Sequence, residues 1–303
     1  MASYPSSAEP GDLSNPQRNP WLDRSVSQPA GLPATSIANP AIDLLPAHIE
    51  LWQKTLGWTP SETQQALFQQ LYAHIVDGNQ RLNLTRITTP EDFWEKHLWD
   101  SLSGLAPWLQ DSASSAPPSE LDPVNAYSSD PIRMIDIGTG GGIPGIPAAI
   151  ALANTPLAPV DLTLVDSTRK KIQFLQALTQ QMDLPATCLA QRAETLGQEK
   201  AYRAKYDLAL VRAVGSAATC AEYALPFLKL GGQAVLFRGQ WEREDTEAIA
   251  PVIDLLGGEI TDIQRWQTPL TQSIRHCIFI HKDGPTPSDF PRAVGTPAKK
   301  PLT

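Results

Sequence analysis

Cysteine is scarce in this chain: three among 303 residues, at Cys188, Cys220 and Cys277. They are far apart, odd in number and without any C-x-x-C spacing, so neither a disulfide framework nor a zinc site is indicated, and buried free thiols are the expected state. Long apolar runs are also missing. No stretch approaches the ~20 residues that a membrane span needs, and the N-terminus has no basic segment followed by an apolar core. A cytoplasmic enzyme without a metal is the resulting expectation. Basic residues are outnumbered, 24 Lys and Arg against 32 Asp and Glu, for a net charge of -8. That balance argues at first against a nucleic-acid partner, because phosphate neutralisation needs lysine and arginine. Location weakens the objection. Asp111, Glu120, Asp122 and Asp130 crowd into one segment without compensating base, and residues 1–44 are acidic as well. Residues 131–283 are left close to neutral, with Arg169, Lys170, Lys171, Arg192, Arg203, Lys205, Arg212 and Arg238 as material for a local basic face.

Proline, by contrast, is plentiful, and it is unevenly spread. Residues 1–44 carry Pro5, Pro10, Pro16, Pro20, Pro29, Pro33 and Pro40 amid serine, alanine and asparagine. Such a stretch has too little apolar surface to offset its ordering entropy and reads as a disordered extension. Residues 111–130 read as a flexible insertion and 284–303 as a flexible tail. The ordered body is then a helical region over 45–110 and a core over 131–283.

Thr59-Pro-Ser-Glu62 is a capping box with proline at the first helical position, followed by Leu67, Phe68, Leu71 and Ile75 at helical spacing and closed by Gly78. It predicts a helix over about 60–77. Thr89-Pro-Glu-Asp92 opens a second helix through Phe93, Leu98, Leu102 and Leu105. From Ile132 the pattern changes to short apolar strands alternating with helices. Strands are expected at 132–137, 162–165, 188–190, 208–211 and 234–237, with helices near 146–154, 169–182, 216–229 and 243–255. This alternation implies α/β architecture with a parallel sheet. Two further strands, 259–266 and 273–281, follow without a helix between them, so a hairpin completes a mixed seven-stranded sheet, unusual for a nicotinamide-binding domain.

The first strand ends in Asp136-Ile-Gly-Thr-Gly-Gly-Gly-Ile-Pro-Gly145. Glycines at this density let a ligand lie against bare main chain and its amides. Gly140-Gly-Gly142-Ile-Pro-Gly145 satisfies G-x-G-x-x-G, and Asp166 at the end of the next strand supplies an acid for a ribose, so a dinucleotide oxidoreductase has to be weighed. Asp136 disfavours it: a carboxylate before the turn repels a pyrophosphate and suits the ammonium and sulfonium of S-adenosyl-L-methionine. Pro144 and Pro147 also remove amides from the first helical turn. The D-x-G-x-G-x-G spacing of Asp136, Gly138, Gly140 and Gly142 resembles the first motif of the adenosylmethionine-dependent methyltransferases, which have the class I, Rossmann-like fold. Asp166 also has a plainer role open to it, as the N-cap of the 169–182 helix.

Several separated motifs extend the resemblance. Asn83-Leu-Thr-Arg-Ile87, His97-Leu-Trp-Asp100-Ser-Leu102, Asp136 to Pro147, Val165-Asp-Ser-Thr-Arg-Lys-Lys171, Arg192-Ala-Glu194 and Val211-Arg-Ala213 together resemble the RsmG (GidB) family of bacterial 16S rRNA methyltransferases, which form 7-methylguanosine in the small ribosomal subunit. The likeness runs over about 45–281. It implies that Gly138 and Ile143 contact the cofactor, that Asp166, Ser167 and Thr168 lie along its adenosine, that Ala193 and Glu194 meet the adenine end, and that Arg212 closes the site. It makes 16S rRNA or the small subunit the partner, with a monomer and no protein partner expected. The extension, the insertion and a longer loop at 154–159 depart from the family pattern and inherit no function.

The chemistry points the same way. Pyrimidine C5 methylation needs a thiol, and none of the three cysteines follows a proline. Adenine amine methylation commonly uses an Asn/Asp-Pro-Pro-aromatic loop after the fourth strand, where this chain has Val211-Arg-Ala-Val-Gly215. Guanine N7 has a lone pair and no proton to lose, so it asks for placement and no general base. His97, Asp100 and Ser101 share a helix face and tempt one toward a hydrolase, yet no nucleophile elbow surrounds the serine. A structural hydrogen-bonded cluster is one reading of them; the other is that Asn83, His97 and Asp100 line the guanine pocket. Arg212 is read either as a salt-bridge partner of Asp136 or Asp166 or as a cofactor or RNA contact. Trp94 and Trp99 are core by their spacing, though aromatics of this kind can stack on an extruded base. A non-catalytic RNA-binding or ribosome-associated module on the same fold is the remaining alternative, disfavoured by the intact Asp136, Gly138, Gly140 and Asp166.

Overall fold

A computed structural model describes residues 42–109, 131–153 and 159–303. The expected insertion, nearly all of the extension and most of the 154–159 loop lie outside the described residues.

The N-terminal region is helical, as its capping and spacing predict. It holds α1 (Ile49–Leu56), α2 (Glu62–Asn79), a run made of α3 (Pro90–Phe93), a π-helical stretch (Trp94–Trp99) and α4 (Asp100–Ser103), and then α5 (Ala106–Leu109). The cap of α2 is Ser61 rather than Thr59. Ser61 and Gln64 form the reciprocal box, Ser61 Oγ accepting from Gln64 N and Gln64 Oε1 from Ser61 N. The shift has a physical reason. Gln64, being buried, uses its amide nitrogen for a second task, donating to the carbonyls of Ile150 and Ala151 at 3.0 Å each. Glu62 in that place would offer no donor. Trp52, Phe68, Trp94 and Trp99 are buried, Trp52 against Trp94 edge to face at 4.8 Å, so the tryptophans are core and not stacking platforms.

Behind this region stand β1 (Ile132–Ile137), β2 (Val160–Asp166), β3 (Ala186–Ala190), β4 (Tyr206–Arg212), β5 (Leu228–Arg238), β6 (Gly258–Gln267) and β7 (Ile274–Lys282), in the order β3-β2-β1-β4-β5-β7-β6. The first five are parallel; β7 is antiparallel to β5 and to β6, the expected hairpin. Between the strands run α6 (Gly145–Leu152), α7 (Arg169–Gln181), α8 (Ala193–Leu196), α9 (Ala217–Ala224) and α10 (Arg243–Leu255). Alternate strand residues feed the two faces. Ile135, Ile137, Val211, Leu236 and Ile280 join Ala221, Leu225 and Ile253 from α9, the turn after it and α10 in one core. On the N-terminal region's side, Gly104 lies so close that a β-carbon there would meet the Phe237 ring at 2.5 Å and Val235 at 3.0 Å.

The strand order reverses between β1 and β4, where ligands bind in open sheets of this kind. Register puts the chemistry in line there. Ile137 pairs with Val165 and with Val211, so Gly138, Asp166 and Arg212 leave the sheet side by side at its carboxyl edge.

Residues 284–303 differ from expectation. They are packed on the core and end in α11 (Thr296–Lys299). Arg203 donates to the carbonyls of Thr286, Pro287 and Phe290, and Gln198 to those of Ser288 and Pro291. Arg292 forms a fork on Glu222, whose side chain is fully buried. Composition suggested a flexible tail because the segment is apolar-poor; what holds it is a set of side-chain donors on the core that satisfy its carbonyls.

Candidate functional site

The glycine turn follows β1 and is pinned from below by Asp136. This carboxylate is fully buried, and its Oδ2 accepts from Thr139 Oγ1 at 2.6 Å and from Gly145 N at 2.8 Å. Gly145 has to be glycine, since a β-carbon there would sit 2.8 Å from Asp136 and from Leu164. Burial pushes the Asp136 carboxyl up to about 6, against hydrogen bonds from Thr139 and Gly145 that favour its ionised form. Asp136 therefore corrects the sequence reading. It is sealed beneath the turn, does not line the cleft, and shapes the turn from behind.

Gly138 and Gly140 have φ of 73° and 58°, the left-handed region. A β-carbon on Gly138 would collide with Val214 at 2.5 Å. Above the turn Asp166 bridges two loops, Oδ2 accepting from Gly140 N at 3.1 Å and Oδ1 from Thr168 N at 2.7 Å. Thr168, not Asp166, stands at the N-cap position of α7 and makes no side-chain capping bond there, so the plainer expectation that Asp166 itself would cap that helix gives way to an acceptor role toward the Thr168 amide.

Two adjoining clefts meet at Gly138, Asp166 and Val214. The larger, about 370 Å³, is lined by Leu84, Thr85, His97, the turn from Gly138 to Gly141, Ile143, Lys171 and Arg212. The smaller, about 140 Å³, is lined by Ser167, Gln191, Arg192, Ala193, Glu194, Tyr223 and Ala298. Together they make one trough across the switch point, with a polar and cationic end and an end walled by Ala193 and Glu194. A roomier depression, about 980 Å³ between α10 and β6, contains none of the motif residues.

Of the expected residues, Gly138, Gly140, Ile143, Asp166, Ser167, Ala193, Glu194, His97 and Arg212 all line the trough. Thr168 is exposed and outside the lining, with its amide on Asp166 Oδ1. Asn83 is exposed and outside the lining, while its neighbours Leu84 and Thr85 are in it. Asp100 faces away, toward two guanidiniums: Arg212 Nη2 at 3.2 Å from Oδ2 and Arg275 Nε at 3.3 Å from Oδ1. The salt bridge of Arg212 with Asp136 or Asp166 is thus replaced by one with Asp100, supplemented by a 2.6 Å bond from Nη2 to the Lys96 carbonyl. The other terminal nitrogen of Arg212, Nη1, is buried without a partner. Thr85, Lys171, Val214, Tyr223 and Ala298 were missed; the first two sit inside recognised motifs, the last far outside them.

The π-helical stretch explains how the N-terminal region reaches this site. Three consecutive residues each make a distant contact. Glu95 accepts from Leu270 N, Thr271 N and Thr271 Oγ1, the Lys96 carbonyl takes Arg212, and His97 Nε2 bonds Thr85 Oγ1 at 2.7 Å. Widening the helix by one residue is a recurrent device at functional sites. Burial first, and then the Arg212 charge, push the His97 imidazole down to about 3, so it is neutral at physiological pH. Ser101 Oγ is spent on the His97 backbone carbonyl and is fully buried, which removes the hydrolase reading.

A seven-stranded sheet of this order, with a glycine turn after β1, an acid ending β2 and a trough between them, defines a class I, Rossmann-like methyltransferase fold. The family model described as "rRNA small subunit methyltransferase G" (GidB) matches residues 64–116 and 119–275. The chain belongs to that family. Relatives bearing the name ribosomal RNA small subunit methyltransferase G include one from Trichormus variabilis, 50% identical over 86% of this chain and 99% of its own length. One from Nostoc sp. is 49% identical with the same coverage, and one from Synechococcus elongatus is 50% identical over 83% of this chain and 95% of its own. The chain is a methyltransferase enzyme.

Proposed function

We propose that the chain transfers the methyl group of S-adenosyl-L-methionine to N7 of a guanine in 16S rRNA of the small ribosomal subunit, acting as a monomer in the cytoplasm. The observation that carries the cofactor is the trough itself. Gly138 and Gly140 present bare backbone, and Asp166 retains lone pairs beyond its two backbone bonds for ribose hydroxyls. The cleft walled by Ala193 and Glu194 accepts a flat base. Bound there, the cofactor supplies an electrophilic methyl on a cationic sulfur.

What the chain must do for N7 is modest. The base nitrogen has a lone pair and loses no proton, so placement in line with the methyl group is the demand and no residue has to act as base. His97 fits this: held neutral, it positions Thr85 and adds no charge to the cleft. Arg212, its guanidinium fixed by Asp100 and the Lys96 carbonyl, lines the polar end and keeps its charge there. Lys171 adds a second cation facing the same cleft, which suits a phosphate or carboxylate. The dinucleotide alternative stays disfavoured, because the relatives that this chain matches over most of its length are methyltransferases. Calorimetric titration with S-adenosylmethionine and with NAD tests the cofactor: binding of the first and not the second is expected, and the reverse overturns the proposal.

A further inference from the structure

The C-terminal segment reaches the trough. We infer that residues 293–303, which lie beyond the part of the chain the family model matches, form the outer wall of the adenine cleft and set the affinity for the adenosine half of the cofactor; this rests on the cofactor reading above.

The segment is fastened on both sides of that cleft. Upstream, Arg292 donates from its backbone N and Nε to Glu222 Oε1 at 2.8 and 2.9 Å and from Nη2 to Oε2 at 2.7 Å. Glu222 has 0% exposed surface and lies one residue before Tyr223, which lines the cleft. A bidentate pair of this kind fixes direction as well as distance. Downstream, the Pro297 carbonyl accepts from Thr219 Oγ1 at 3.0 Å and the Lys300 carbonyl from Arg292 Nη2 at 2.9 Å.

Between these anchors the chain touches the cleft at two points. Gly295, with φ of 79°, turns its amide onto Glu194 Oε1 at 2.9 Å, and Tyr223 Oη donates to the same oxygen at 3.0 Å. Glu194 is buried, so its carboxylate is held in place by one donor from the core and one from the segment. Ala298 then lines the cleft together with Ala193 and Glu194. A methyl at that position leaves room for a planar base and contributes an apolar surface to it; a larger side chain would occupy the same space.

The test uses calorimetric titration of the full chain and two variants with S-adenosylhomocysteine and with adenosine. One variant ends after Ala293, keeping the Arg292–Glu222 pair; the other is Ala298→Phe. The truncated chain should bind both ligands about tenfold more weakly or worse, and Ala298→Phe should do the same with its melting temperature unchanged, since the position is exposed. KM for the RNA substrate should not move in either variant. Full-chain binding at an affinity that neither variant alters overturns this inference alone. No binding by the full chain overturns the cofactor reading and this inference with it.

Discussion

Arg212 is held by Asp100, across the junction between the sheet and the N-terminal helices, with Nη2 3.2 Å from Oδ2. Asp100 also takes Arg275 from β7 at 3.3 Å, so one buried carboxylate joins three parts of the molecule at the edge of the cleft. Removing it leaves two guanidiniums without their anion. Asp100→Ala is expected to cost about 2–3 kcal/mol, under the ~3–5 of a fully buried pair because both arginines keep some solvent. Methyl transfer should fall together with cofactor affinity as Arg212 loses its fixed direction. Denaturant unfolding and cofactor titration check this; an unchanged midpoint and affinity would show the pair to be incidental.

His97 should not titrate in the accessible range. Its folded value is pulled down to about 3 by burial and by Arg212, below its ordinary value of 6.5. The unfolded chain then binds the proton more readily, so this residue contributes stability that is present above about pH 6.5 and declines as pH falls toward 3. The His97 ring resonances, assigned by comparison with His97→Gln, should stay constant between pH 5 and 8. A midpoint near 6.5 would contradict the buried, neutral assignment.

Asp136 behaves in the opposite sense. Burial raises its carboxyl from 3.8 to about 6, so the folded chain binds the proton more tightly and stability falls as pH rises from about 4 to 6. Asp136→Asn can still accept from Thr139 and Gly145 through its amide oxygen, and it should flatten the melting temperature over that range relative to the parent. Persistence of the parent's slope in the variant would locate the titration elsewhere.

Glu95 was not expected to matter and is expected to matter to stability. It is buried and accepts two backbone amides and one hydroxyl from the turn between β6 and β7, which docks that turn on the π-helical stretch. Glu95→Ala would strand two amides and should cost about 2–3 kcal/mol, measurable as a lower denaturant midpoint. A loss below about 0.5 kcal/mol would mean that water replaces the carboxylate freely.

Much of this was legible in the sequence because it depends on local signals. The strands of the core announce themselves by short apolar runs between helical ones, and the glycine turn by composition alone, so its place beside Asp166 and Arg212 followed once β1, β2 and β4 were known to be neighbours. What was not legible depends on long-range pairing. Nothing in the spacing of Asp100 says that it looks toward Arg212 and Arg275 rather than into the cleft. Asp136 was read as a ligand because charge can be seen in a sequence and burial cannot. The C-terminal segment misled for a related reason: its order comes from Arg203, Gln198 and Glu222, which are far away in sequence and carry no signal of what they bind.

Methyl transfer with identification of the product base tests the central claim most directly. Small ribosomal subunits lacking the modification would be incubated with the protein and S-adenosylmethionine labelled in its methyl group, and the RNA digested to nucleosides. The account predicts label in 7-methylguanosine from 16S rRNA, abolished by Asp166→Ala. Label at any other atom would contradict the N7 assignment while leaving the fold and cofactor intact, and no label in RNA would contradict the account as a whole.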